Sequence, residues 1–197
     1  VLTWHEGFVE LVQRNRLPDS DRVELTMNLK KKQRLILWIR KPDWADKATL
    51  IINGKAEQLL LGNDGYWMID KVWNRKNRIS LQLPMHTYTE NLIGTGRYVA
   101  LLYGPYVLAG RMGKENLPST FWGKMNNTAM NKMDLSKVPV FNIPATQIPD
   151  HVEPVFERGT LRFNIHLKGF ENVVLEPFYK IHFERYAIYW PTASSNE

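Results

Sequence analysis

The side chains able to do acid–base chemistry are scattered along this chain of 197 residues. Two pairs of glutamates, Glu153 with Glu157 and Glu171 with Glu176, could hydrolyse a glycosidic bond if their carboxyl groups lay roughly 5–10 Å apart. Both pairs fall in turn-like, polar stretches, where solvated surface charge is the ordinary outcome. We therefore expect no catalytic residue in this chain.

Metal ligands and nucleophiles lack the spacing that such sites require. The histidines show neither an H-x-x-x-H nor an H-x-H pattern, so metal binding is not indicated. The chain has no cysteine, which excludes thiolate ligands, disulfides and cysteine nucleophiles within it. No G-x-S-x-G is present, and Gly94-Thr95-Gly96 lacks the helix start of a phosphate site. We expect no metal or cofactor in this chain.

The tryptophans are the first feature that points to a ligand, because sugar rings stack on exposed aromatic side chains. Trp38 and Trp67 lie within strand patterns and are expected in the core. Trp44, Trp73 and Trp122 lie in turn-like segments and are expected to be exposed. These three are candidates for carbohydrate binding, and the alternative is ordinary packing or contact between domains.

Residues 175–190 interleave charged groups with large rings. Polar groups among rings must be hydrogen-bonded or ion-paired where they are buried. We favour a network of charges and rings that docks this domain on a neighbour. The functional alternative is that His182 and Arg185 face a ligand. The docking or network candidates are Tyr179, His182, Arg185 and Tyr186, which lie among Glu176, Lys180 and Glu184.

The elements that would position these residues are short strands. Apolar residues alternate with polar ones over residues 23–29 and 161–167, which is typical of half-buried strands. Residues 35–39 are apolar on both sides and predict a central strand covered on both faces. Asn53-Gly54 predicts a type I′ hairpin turn. Almost no stretch has helical spacing, so we predict an all-β fold of two antiparallel, jelly-roll-like β-sandwich domains.

The division between the two domains is predicted from a change of composition near Gly110. Residues 110–153 contain four prolines and little alternation, and are expected to form a long connection with one or two short strands. The predicted domains are therefore residues 1–110 and residues 111–197.

The charge of the chain does not indicate a nucleic-acid or membrane protein. The net charge is +6, and the only basic run, Lys30-Lys31-Lys32, lies between two strand-like segments and is expected to be a solvated hairpin loop. No apolar run approaches the roughly 20 residues of a membrane helix. The chain begins at Val1 without a visible targeting segment, and we expect a fragment of a longer protein.

Several motifs, taken in order, resemble the β-L-arabinofuranosidase family, glycoside hydrolase family 127. Residues 40–45, Arg-Lys-Pro-Asp-Trp-Ala, resemble the R-x-P-x-W that follows a strand in the middle domain of that family. Residues 177–190, from Pro-Phe-Tyr-Lys to Tyr-Trp, resemble the C-terminal signature of a large subgroup. The motifs between them are Ile52-Asn53-Gly54, Gly65-Tyr66, Val72-Trp73, Leu83-Pro84-Met85 and residues 99–105. Residues 74–78 depart from the family, which usually has a tighter Gly-Asp turn there.

The resemblance implies that catalysis takes place outside this chain. In that family an upstream (α/α)6 barrel carries a cysteine nucleophile bound to zinc, with further cysteines and a glutamate. This chain would then be the two β-sandwich domains that follow the barrel, and no family catalytic residue has a matching position here. The implied partners are that barrel and a plant glycan. A secreted or periplasmic location would suit the degradation of polysaccharide, but the sequence does not determine the compartment.

The resulting hypothesis is a non-catalytic accessory region of a glycoside hydrolase. The sandwiches would pack on the barrel, shape the rim of its pocket or support oligomerisation. One alternative is a carbohydrate-binding module that recognises plant polysaccharide through exposed tryptophans. A further alternative is a stand-alone structural or interaction domain.

Overall fold

The computed structural model describes residues 2–6, 8–94, 96–114, 138–157 and 160–193, which form two compact units. The units are Val1–His86 and Thr87–Glu197. The boundary therefore lies more than twenty residues before Gly110, where the change of composition had placed it. The reason is that residues 87–111 form three consecutive paired strands, and the second and third of these also pair with later strands of the second unit.

The first unit contains two antiparallel sheets. One has six strands in the order β1-β2-β3-β9-β5-β6, and the other has three in the order β4-β8-β7. The strands are β1 Leu2–Glu6, β2 Val9–Asn15, β3 Arg22–Leu29, β4 Gln33–Arg40, β5 Thr49–Ile52, β6 Lys55–Glu57, β7 Leu60–Leu61, β8 Tyr66–Trp73 and β9 Lys76–Gln82.

The inward faces of these two sheets share one hydrophobic core. In β3 every second residue is buried, as the alternation over residues 23–29 predicted. Trp67 on β8 is 4% exposed, so its expected place in the core is confirmed. Pleating explains the pattern, because successive side chains of a strand point to opposite faces.

Strand β4 does not have the position predicted for it. Its apolar residues on both sides indicated a central strand, but β4 is an edge strand of the three-stranded sheet. Leu35, Leu37 and Ile39 pack against the core, whereas Ile36 and Trp38 are 50% and 48% exposed. The expectation that Trp38 lies in the core is therefore wrong. The sequence pattern shows that both faces of β4 are apolar, but it does not identify what covers the second face.

The turn between β5 and β6 has the predicted geometry. Asn53 and Gly54 have φ angles of 51° and 82°, and Ile52 pairs with Lys55 across the turn. A type I′ turn requires positive φ at both central residues, a region that asparagine and glycine tolerate.

The second unit contains one eight-stranded antiparallel sheet. Its main path is β10-β11-β12-β15-β14-β13, with β16 added to β12 and β17 added to β11. The strands are β10 Thr87–Asn91, β11 Tyr98–Tyr103, β12 Tyr106–Arg111, β13 Val152–Glu157, β14 Thr160–Ile165, β15 Val174–Pro177, β16 Tyr186–Ala187 and β17 Tyr189–Pro191. The prediction of an all-β, antiparallel fold is confirmed.

The core of the second unit is filled from the sheet and from the segment before β13. A 3₁₀ helix over Ala145–His151 contributes the fully buried Ile148. Phe141 stacks on Phe170 with ring centroids 4.3 Å apart, and both rings contact Trp190. Much of the predicted long connection, residues 115–137, lies outside the described residues. Among the described helices, none has the length and apolarity needed to cross a membrane.

Candidate functional site

The charged centre of the second unit is Glu176 on β15. Its side chain is 3% exposed and lies between two arginines. One carboxylate oxygen, Oε1, accepts a hydrogen bond from Arg162 Nε at 2.9 Å, and Oε2 accepts one from Arg111 Nη2 at 2.7 Å. Strand β15 lies between β12 and β14, and the pairings Ala109↔Glu176 and Phe163↔Leu175 bring both arginines to the glutamate's face.

A second glutamate extends this group. Arg111 Nη1 also donates to the carboxylate of Glu184, whose side chain is 7% exposed. The hydrogen bond from Arg111 to Glu176 raises the pKa of the guanidinium further above its usual value, against the opposing effect of burial. Backbone bonds hold the segment in place, since Met112 N–H donates to Arg185 O and Arg185 N–H donates to Gly113 O. We call Arg111, Arg162, Glu176 and Glu184 the ionic cluster.

The four residues predicted to form a network differ in their ring contacts and in their exposure. Tyr179 packs against Tyr106 with ring centroids 5.5 Å apart, and Tyr186 packs against Phe178 at 4.8 Å. Both tyrosines remain about half exposed. His182 is exposed, and Arg185 is half-buried. The ring centroid of His182 lies 6.2 Å from that of Phe183, so three of the four candidates take part in ring pairs.

The two arginines of the ionic cluster were missed by sequence reasoning. Arg111 and Arg162 are 65 and 14 residues from Glu176 along the chain, so no local motif joins them. Glu176 itself was expected to be solvated, and that expectation is wrong because β15 is an inner strand of its sheet. The sequence did contain one signal of this burial, which is that Glu176 lies between Leu175 and Pro177 in an apolar strand.

The remaining glutamates considered for catalysis are surface groups where the structure describes them. Glu153 is exposed and pairs with His166 at 2.9 Å. Glu171 is exposed, and the backbone N–H of Gly169 lowers the pKa of its carboxyl group by donating to both oxygens at 3.0 Å. The side chain of Glu157 lies outside the described part. Within that part, no three His, Cys, Asp or Glu side chains lie together as a metal ion would require.

The tryptophans proposed for sugar stacking are not an exposed set. Trp73 is 1% exposed and donates its indole N–H to the carbonyl of Leu35 at 2.9 Å. Its predicted exposure is wrong, because it is the last inward-facing residue of β8. Trp44 is half-buried and packs against the core of the first unit. Trp122 lies outside the described residues.

An exposed apolar surface is found instead on the outer side of the three-stranded sheet. Trp38 lies opposite Met68, which lies opposite Leu60, in one row across the three strands. Ile36 and Val72 extend the surface along β4 and β8. The exposed fractions of Ile36, Trp38, Leu60 and Val72 are between 48% and 52%. We call Ile36, Trp38, Leu60, Met68 and Val72 the outer apolar face.

One ion pair lies within the same surface. Arg34 Nε and Nη2 donate to the two carboxylate oxygens of Asp70, each at 2.8 Å. This fork-shaped pairing satisfies both groups and leaves apolar side chains on either side of it. The arrangement can bury apolar area against another surface without leaving a charge unpaired.

Comparison with known proteins divides the chain where the structure does. The model of the GH127 middle domain of β-L-arabinofuranosidases matches residues 1–85, and a family of domains of unknown function, DUF4986, matches residues 88–192. No curated protein matches the chain.

Solved structures share the fold of nearly the whole chain. A GH127 β-L-arabinofuranosidase from Geobacillus stearothermophilus T6 is 17% identical, with a TM-score of 0.66 over 94% of this chain and 31% of its own. The GH127 β-arabinofuranosidase BT3674 is 15% identical, with a TM-score of 0.56 over 94% of this chain and 32% of its own. The chain thus spans about a third of the length of the structures it matches. The expected kinship is confirmed: the chain belongs to the DUF4986 family through residues 88–192 and is a β-rich region of the GH127 family.

Proposed function

We propose that this chain is a non-catalytic accessory region of a glycoside hydrolase related to the β-L-arabinofuranosidases. It packs against a catalytic domain that belongs to the same, longer polypeptide. The observation that carries the proposal is the outer apolar face of the first unit. The length of the matched structures, about three times that of this chain, supports a larger parent protein.

The composition of the outer apolar face favours a protein partner. Its centre holds one tryptophan with aliphatic and thioether side chains, and its charged pair, Arg34 with Asp70, is already satisfied. Protein interfaces have such apolar centres with aromatic anchors and polar rims. The next row of this face beyond Trp38 holds the exposed Arg40 and Tyr66, which would belong to the polar rim of such an interface. Protein docking therefore explains this surface better than carbohydrate binding does.

The test measures binding between this chain and the remainder of the parent protein, expressed separately, by calorimetry. We expect Trp38→Ser to weaken binding by about thirtyfold, because truncating an anchor tryptophan costs about 2 kcal/mol or more. The matched control is Phe156→Ser, which removes an aromatic side chain that is 60% exposed on β13. Circular dichroism establishes that both variants are folded.

Three results would contradict the proposal. One is hydrolysis of an aryl β-L-arabinofuranoside by this chain alone. Another is unchanged association after Trp38→Ser. If the same substitution instead abolishes binding of arabinan, the first unit is a carbohydrate-binding module and the accessory role is wrong.

A further inference from the structure

The first unit gathers positive charge at one end, where connections between its strands meet. Residues 30–32 link β3 to β4, and residues 74–75 link β8 to β9. The two connections are adjacent, because Leu29 N–H donates to Arg75 O at 2.7 Å. The β5–β6 turn joins them, since Asn53 N–H donates to Arg78 O at 2.8 Å. Charges that are far apart in sequence are therefore neighbours here.

Seven exposed cations belong to these connections and the strand ends beside them. They form what we call the basic end, which consists of Lys30, Lys31, Lys32, Lys55, Arg75, Lys76 and Arg78. The net charge of the whole chain is only +6. The excess positive charge is thus concentrated at the basic end. The run Lys30-Lys31-Lys32 is one part of that end rather than an isolated solvated loop.

A depression of about 660 Å³ adjoins the basic end. Its floor is the outward surface of the six-stranded sheet, where Asn28 pairs with Lys76 and Thr26 pairs with Arg78. Its lining includes the side chains of Glu10, Thr26, Asn28, Asn53, Arg75 and Arg78.

The chemistry of this lining combines cations with groups that bind hydroxyls. An amide offers both donors and an acceptor, and a threonine hydroxyl does the same. Glu10 is oriented by Asn28, whose Nδ2 donates to Oε2 at 2.5 Å. Within the described residues, no carboxylate lies within ion-pair distance of the guanidinium of Arg75 or Arg78. These guanidiniums can take a carboxylate through two parallel hydrogen bonds.

We infer that this depression binds an acidic carbohydrate, with a uronate carboxylate on Arg75 or Arg78 and sugar hydroxyls on the amide, hydroxyl and Glu10 side chains. The remaining cations of the basic end attract neighbouring uronates of the same polymer. Nucleic acid fits less well, since the described lining contains no aromatic ring on which a base could stack. The inference does not depend on the docking proposal, because the two surfaces share no residue.

The experiment measures binding of the 197-residue chain to polygalacturonate at 0.1 M salt by calorimetry. The probes for comparison are neutral arabinan, poly-glutamate of equal charge and poly-uridylate. We expect polygalacturonate to bind at least tenfold more tightly than any of the three. Equal affinity for poly-glutamate or poly-uridylate would overturn the inference, because attraction of any polyanion would then suffice.

Variants locate the site. Arg75→Glu with Arg78→Glu is expected to weaken polygalacturonate binding at least tenfold. The control, Lys47→Glu with Lys168→Glu, changes the net charge equally at exposed lysines elsewhere and is expected to change affinity less than twofold. An equal loss in the control would overturn the inference. If the first variant does not fold, Arg75→Gln with Arg78→Gln provides the same comparison, and full binding by that folded variant would also overturn it.

Discussion

Glu176 illustrates how the placement of one residue decides its chemistry. The carboxylate is buried and both oxygens are occupied by arginine donors. A buried charge is tolerated only when it is paired and hydrogen-bonded, so this glutamate is held as a structural anion. Its arginine partners keep their side chains 38% and 44% exposed, which lets water share the cost of burial. The ionic cluster therefore ties β12, β14 and β15 together.

Replacing Glu176 with Gln should destabilise the chain. The variant keeps the shape of the side chain but removes the charge that both guanidiniums face. Hydrogen bonds to charged groups contribute about 1.5–3 kcal/mol, and we expect the free energy of unfolding in urea to fall by about that amount. The control is Glu153→Gln, because the exposed pair with His166 contributes about 0–1 kcal/mol. Equal losses in the two variants would show that the ionic cluster contributes no more than a surface pair.

Asp70 on the outer apolar face provides a test by pH. The hydrogen bonds from Arg34 are the largest cause of the lowered pKa of the Asp70 carboxyl, with a smaller Coulombic contribution, and desolvation opposes them. Because the folded pKa lies below the unfolded one, the pair stabilises the fold above the ordinary aspartate pKa. That contribution is lost as the pH falls through the folded pKa.

We expect Arg34→Gln to raise the pKa of Asp70 towards its ordinary value, measured by NMR titration of the side-chain carboxyl carbon. Glu171 provides the internal control, because its lowered pKa depends on the backbone N–H of Gly169 and should not change. An unchanged titration of Asp70 would mean that the fork-shaped pair does not form in solution.

At the scale of elements, β12 and β17 of the second unit approach each other closely at Gly110 and Trp190. Gly110 on β12 pairs with Leu175 on one side and with Ala187 on the other. A methyl group on Gly110 would lie 2.5 Å from Cη2 of Trp190, far inside contact distance. The indole can come this close to the strand only because Gly110 has no side chain. Glycine is required here by close approach, and not by a positive φ angle.

Gly110→Ala should therefore overpack the core of the second unit. We expect the free energy of unfolding to fall by about 1–3 kcal/mol, the usual cost of an added core methylene group. Thermal or urea unfolding measures the change. Combining it with Trp190→Phe makes room for the methyl group, so the double variant should lose less than the two single losses together. Strict additivity would mean that the indole does not cover Gly110.

Strand β4 shows that the hydrophobic pattern of a strand does not determine what covers each of its faces. Its residues are apolar on both sides, which normally indicates burial between two layers. The three-stranded sheet leaves Ile36 and Trp38 exposed, and so creates the outer apolar face. On our proposal the second layer is another domain of the parent protein. The pattern would then describe the assembled protein rather than this chain.

At the scale of the whole molecule, the two proposed surfaces belong to different parts of the first unit. The outer apolar face lies on the three-stranded sheet, and the basic end lies where the connections of both sheets meet. Trp38→Ser should leave polygalacturonate binding unchanged, and Arg75→Glu with Arg78→Glu should leave docking unchanged. The failure of one proposal can thus be distinguished from the failure of the other.

The sequence by itself determined the all-β class, the hairpin at Asn53-Gly54 and the kinship with GH127. These depend on local alternation, on turn chemistry and on motifs read in order along the chain. Only the tertiary structure decided that Trp73 is buried and Trp38 exposed, that Arg111 and Arg162 hold Glu176, and that Leu29 bonds to Arg75. Strand pairing joins residues that are distant in sequence, and no local pattern records which strands become partners or which sheet face stays uncovered.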